Sequence, residues 1–378
     1  MAVGANRWAL AAAPAATSAL TVRRAALWTL LLSKLLAGWG VQWDIQWHVL
    51  IGRDSFWIPP HVMTYAGVAL SVIVSFGVLA WESVTRRDGG NLRILGLSGT
   101  RGFHLAAWGI ALTVLAAPID DLWHRLFGLD VTLWSPPHLL GILGAAINSL
   151  ACLVIAREVH PAGSVARWAA LVLTGAVLYG GLHLTVDPST RIAYLYGGVL
   201  FYTLAYLSAL ILPLALVPTA RLSANRWAPL ALLLVLIGLG LVGQQIARIG
   251  FETLKPVSVI DSEIAKDPTS PIAVATLMAR KEGVTPGQTG GRRHTFALLP
   301  VLVMALVDAR RRPLAATLAY ATTLFAVLAW RLPSRPSLAA MAPGAPDTIV
   351  ALLLVVAAAV AGGWAARWLS DTLAAEPS

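Results

Sequence analysis

Apolar residues fall in runs of about twenty along most of the chain, separated by short polar stretches rich in Arg, Pro and Gly. A helix of that length, at ~1.5 Å per residue, matches the hydrocarbon core of a bilayer. The runs predict transmembrane helices over 25–43, 61–81, 102–122, 137–156, 166–186, 194–217, 228–247, 294–308, 313–331 and 347–368. That makes about ten spans, or nine if the short 294–308 run is a re-entrant piece. The expected fold class is therefore all-α, a polytopic helical membrane protein.

Composition agrees. The 378 residues are 57% hydrophobic and 12% charged, half the roughly 25% charged residues of a soluble domain. The lone cysteine, Cys152, lies in an apolar run, which excludes an intrachain disulfide framework and a cysteine-based metal cluster. Fifteen tryptophans suit the two membrane–water interfaces.

Net charge is +10, and its distribution carries the information. If ten helices alternate, Arg23 and Arg24, the cluster from Arg86 to Arg101, Arg157 and Arg167, Arg221 and Arg226, Arg310 to Arg312, and Arg367 all fall on one side. The positive-inside rule then predicts an integral inner (plasma) membrane protein with both termini cytoplasmic. Basic charge is thus a topology signal, and no nucleic acid is implied. The run before Arg23 has slight signal-peptide character, but Pro14, Thr17 and Ser18 interrupt it, so an uncleaved tail is expected. The organisation expected is a tail over 1–24, a duplicated four-helix unit over 25–156, further spans over 157–247, an extracytoplasmic loop over 248–293, and C-terminal spans over 294–378.

The duplicated unit carries the chemistry. Asp44, Trp47 and His48 are followed by Gly52, Asp54, Trp57, Pro59, Pro60 and His61. Asp120, Trp123 and His124 are followed by Gly128, Asp130, Trp134, Pro136, Pro137 and His138. In each set a carboxylate and an imidazole four residues apart share a helix face. A second imidazole sits just after a Pro-Pro pair suited to the opening turn of the next helix. Two helical hairpins, related by internal pseudo-symmetry, would each gather two His and one carboxylate near the outer face. Packed as neighbours, they would face a common space. A lone His beside Trp at an interface is usually a snorkelling belt residue, and Pro-Pro is ordinary capping. The recurrence of the whole set, where intramembrane polar groups are costly, favours metal ligation. Two His and a carboxylate suit copper, iron or zinc.

Asp44, Trp47-His48, Arg53-Asp54, Phe56, Pro59 and His61 resemble the copper-site segment of the C subunit of particulate methane and ammonia monooxygenases. Asp120, His124, Pro136 and His138 match the spacing of that family's second segment, with Asp120 where the family has Asn. The resemblance covers roughly residues 40–145. It implies copper at Asp44, His48 and His61, and again at Asp120, His124 and His138. It also implies partner monooxygenase subunits, and O2-dependent oxidation of a small apolar substrate reached from membrane lipid, or of ammonia.

Around these sets, His183 and Asp187, four apart at an outer helix end, and the loop residues Asp54 and Asp130 are candidates to orient a ligating imidazole. Lys34 lies ten residues below Asp44 and Asn148 ten below His138, so the two match in depth at about 15 Å. Lys34 needs a partner there, and Asn148 is a candidate. His294 reads mainly as an interface residue. Two rivals keep the same residues. A metal transporter would need a polar trail inward, and a structural or assembly subunit would bind no metal.

Overall fold

The computed structural model describes residues 13–52, 55–85, 92–127, 134–186, 193–285 and 290–375. They form an all-α polytopic membrane protein. Helix α1 (Ala13–Leu50) pairs with α2 (Pro59–Thr85), and α3 (Arg101–Phe127) with α4 (Pro136–Val159), as two antiparallel hairpins. Next come α5 (Val165–Leu184) and a span broken into a 3-10 turn (Gly198–Tyr202), α6 (Thr203–Ile211) and α7 (Pro213–Leu222). Then follow α8 (Ala228–Leu254), the short α9 (Ile260–Lys266) and α10 (Pro271–Lys281), α11 (Leu298–Val307), α12 (Pro313–Arg331) and α13 (Ala345–Ala374). The break before α7 falls at Pro213, which cannot donate to the preceding turn.

Among the described residues, eight helices are long and apolar enough to cross a membrane: α2, α3, α4, α5, the broken 198–222 unit, α8, α12 and α13. The first expected span lies inside α1, whose 38 residues exceed a bilayer's thickness. Lys34, Gln42 and its tryptophans make α1 less apolar than the eight. The expected 294–308 span is a short apolar helix, His294–Val307. A small β-hairpin, β1 (Leu92–Ile94) with β2 (Leu97–Gly99), was not expected from the apolar pattern. Its two-residue turn, Leu95-Gly96, has positive φ at both positions, as a tight hairpin matching strand twist requires.

The two ends of the bundle differ in chemistry. At one end, arginines reach across to the carbonyls left open at helix C-termini. Arg24 donates to Val159, Arg157 to Leu373 and Ala374, Arg101 to Thr372 and Ala375, and Arg226 to Ala305 and Leu306. Each places positive charge where a helix dipole is negative. Arg23 is bidentate on buried Glu82, at 2.7 and 2.9 Å. At the other end lie the C-termini of α1, α3 and α5 and the starts of α2 and α4, which carry the aspartates and histidines of the repeated motif.

A shared close approach sets the register of both hairpins. A Cβ on Gly67 would lie 2.6 Å from the Ser33 carbonyl oxygen and 2.6 Å from the Ala37 nitrogen. A Cβ on Gly144 would lie 2.6 Å from the Gly109 carbonyl oxygen and 2.6 Å from the Thr113 nitrogen. Gly67 and Gly144 each follow the Pro-Pro-His histidine by six residues. Ser33 and Gly109 each precede the motif aspartate by eleven, and Ala37 and Thr113 by seven. The repeat is therefore one of backbone packing as well as of side chains.

The segment around 251–260 docks on the end of α1. Val259 N donates to Ile51 O at 2.8 Å and Ser258 Oγ to Leu50 O at 2.6 Å. Trp47 stacks on Phe251, their rings 5.8 Å apart. Gly52, at φ +75°, ends α1 in a conformation that favours glycine, and Ile260 packs against it.

Gly144→Val should destabilise the protein by about 1–3 kcal/mol, because backbone on both sides leaves the added methyls no room. Gly77→Ala, whose Cβ would meet nothing within 4 Å, should be neutral. Thermal unfolding of the two variants side by side checks the contrast.

Candidate metal centre and the adjoining cavity

Asp44 stands at the last turns of α1, and the helix repeat brings His48 onto the same face. His48 Nδ1 lies 2.9 Å from the Asp44 backbone carbonyl and 3.4 Å from Asp44 Oδ1. Pro59 and Pro60 open α2 and set His61 on its first turn. There His61 Nε2 lies 3.0 Å from Asp44 Oδ1, while its Nδ1 lies 3.0 Å from the Ser55 carbonyl. The two imidazole rings are 6.1 Å apart. The three side chains of the first set are therefore brought together, with Asp44 at their centre.

The arrangement bears directly on a cation. A carbonyl can only accept, so Ser55 fixes the proton of a neutral His61 on Nδ1 and leaves the lone pair of Nε2 facing the carboxylate. Two acceptors then face each other at 3.0 Å, a geometry that suits either an imidazolium or a shared cation. Asp44 Oδ1 is sealed from solvent, with both imidazoles turned toward it. A ring N–H held by a backbone carbonyl, with the other nitrogen left to bind a metal, is the usual orientation of a metal-ligating histidine. The donor chemistry thus fits a divalent ion. Among the described residues, however, no three His, Cys, Asp or Glu side chains already form a closed ligand set.

In the second hairpin, Ser135 precedes Pro136 and Pro137 at the start of α4, and His138 Nε2 lies 3.4 Å from Asp120 Oδ1. This repeats the Asp44–His61 pair at a longer distance. His124 lies on α3, but its side chain is outside the described part of the structure, as are residues Asp54, Asp130 and Asp187.

The hairpins do pack as neighbours, yet the common space is not shared equally. A cavity of about 510 Å³ lies among α1 to α5 and α8, and Asp120 and His138 line it. Asp44, His48 and His61 do not. Along α1 it is Val41, Gln42, Ile45 and Gln46 that face the cavity, and along α2 it is Thr64, Gly67, Val68 and Ser71. The rotation of those two helices turns the first set onto an adjoining face, which corrects the expectation of one space for both.

His183 and His294 also line the cavity. Their rings meet edge to face, 4.7 Å apart, and Tyr179 stacks on His183 at 6.2 Å. His294, read from sequence as an interface residue, is thus part of the cavity wall. Nothing in its local sequence marks it, since a distant segment brings it there. At the other end of the cavity Lys34 Nζ donates to Asn148 Oδ1, the pairing that their matched depths predict.

No protein-family model, curated protein or solved structure matches the chain. The functional reading therefore rests on the residues themselves.

Asp44→Asn should destabilise the protein by about 1 kcal/mol, since a partly buried carboxylate between two imidazoles loses its charge. Asp121→Asn, which breaks an ion pair with Arg125 that is 74%/64% exposed, should change stability by less than about 0.5 kcal/mol. Thermal unfolding at neutral pH distinguishes them.

Proposed function

We propose that the chain is the membrane subunit of a copper-dependent monooxygenase that oxidises a small apolar substrate with O2. The observation that carries this reading is the placement of the Asp120–His138 pair on the wall of a cavity lined mostly by apolar side chains. Asp44, His48 and His61 would hold one copper, and Asp120, His124 and His138 another. Bound copper would supply one-electron and oxygen chemistry.

The chain's own residues have distinct tasks. Asp44 and Asp120 lower the charge of a bound cation, and Ser55 orients His61. Walls built from Leu35, Ile110, Ile142, Leu178 and Leu236 exclude water and admit an apolar substrate. The positive-inside rule supports reading the basic end of the bundle as the cytoplasmic end, with both motif sets toward the outer face. Partner subunits would supply electrons.

Cation transport through the same cavity is the weaker reading. The cavity reaches Lys34, and an ammonium there repels a cation moving inward.

Purified protein should carry one or two coppers per chain. His61→Ala and His138→Ala should each weaken copper affinity by more than about 10–100-fold, the cost of disturbing only a partner that orients a ligand. Elemental analysis with electron paramagnetic resonance checks both. Stoichiometric zinc or iron would overturn the copper assignment, and a folded, reconstituted protein without metal would overturn the centre itself.

A further inference from the structure

The cavity has a built floor that the metal reading does not use. Lys34 lies ten residues before Asp44, Ser71 ten after His61 and Asn148 ten after His138. All three therefore sit about 15 Å below the motif residues. Ser71 and Asn148 are equivalent positions of the repeat, and they meet: Ser71 Oγ donates to Asn148 Oδ1 at 3.2 Å. Lys34 Nζ donates to the same oxygen. Asn148 Nδ2 donates to the Ala106 carbonyl at 2.6 Å, and the residue is fully buried. Asn148 is thus committed on both faces of its amide.

Lys34 is not. Its ammonium has three N–H donors, and its hydrogen bond among the described residues is the one to a neutral amide. No carboxylate among those residues forms an ion pair with it. Its titratable neighbour is Cys152, whose thiol donates to the Asn148 carbonyl at 3.5 Å. The surface that Lys34 leaves accessible lines the cavity. An ammonium at this depth is costly unless an anion reaches it.

The cavity is therefore polar at two ends and apolar between. Lys34 with Ser71 and Asn148 form the floor, and Asp120, His138, His183 and His294 the outer end. A volume of about 510 Å³ lies within the range of small-molecule sites. A cationic head is repelled at the floor, and a small apolar molecule, which fits the apolar middle, leaves the ammonium unanswered. We propose that Lys34 anchors the carboxylate of a medium-chain aliphatic acid, whose chain runs up the cavity toward Asp120 and His138. This assignment stands on the floor's geometry and does not depend on a metal.

Decanoate, decanol and decylammonium binding to the full chain in nanodiscs of zwitterionic lipid tests it. Decanoate should bind saturably and at least about tenfold tighter than either analogue, the scale of one charge-assisted hydrogen bond. Lys34→Met should weaken decanoate by about tenfold or more. Asn148→Asp should do the same by giving Lys34 a counter-ion within the chain, and its melting temperature reports that the fold is intact. Asp121→Asn, at an exposed ion pair outside the cavity, should leave decanoate affinity within about twofold. Equal binding of decanoate and decylammonium, or unchanged decanoate affinity in both Lys34→Met and folded Asn148→Asp, would overturn the proposal. Loss of copper with decanoate binding retained would count against the metal centre alone.

Discussion

Backbone contact between paired helices is the constraint on which the rest depends. In lipid there is little hydrophobic drive between helices, so close packing and internal hydrogen bonds must hold them. Gly67 and Gly144 let α2 and α4 press onto the backbones of α1 and α3 at the same register in both hairpins. Once that register is fixed, the Pro-Pro turn of each second helix can end only near the aspartate of the first. The Asp44–His61 and Asp120–His138 pairs follow from it. So does the meeting of Ser71 with Asn148 between the hairpins.

Charge is arranged along the same axis. Arginines close helix C-termini at one end, where they oppose the helix dipoles. The aspartates and histidines of the repeated motif occupy the other. Between them, at membrane depth, Lys34 pairs with Asn148.

The architecture was largely legible in the sequence because membrane helices announce themselves by long apolar runs. The meeting of Asp44, His48 and His61 was legible too: a four-residue offset and a Pro-Pro start are local rules, and they bring the three side chains together. Depth matching found Lys34 and Asn148. Helix rotation was not legible, since tertiary packing decides which stripe of α1 faces inward, and so the separation of Asp44 from the cavity went unseen. His294 escaped for a similar reason. The six-residue offset of Gly67 and Gly144 was readable, as was the ten-residue offset of Ser71 and Asn148. Both extend the repeat beyond the residues that carry its chemistry. The turn of the β-hairpin, Leu95-Gly96, lies in a stretch too short to show strand alternation.

X-ray absorption at the copper edge of the copper-loaded full chain tests the central claim most directly. The account predicts a nitrogen and oxygen coordination shell with the multiple-scattering signature of imidazole, diminished in both His61→Ala and His138→Ala. A sulfur scatterer, which only Cys152 and the methionines could supply, or an imidazole signal indifferent to both substitutions would contradict it.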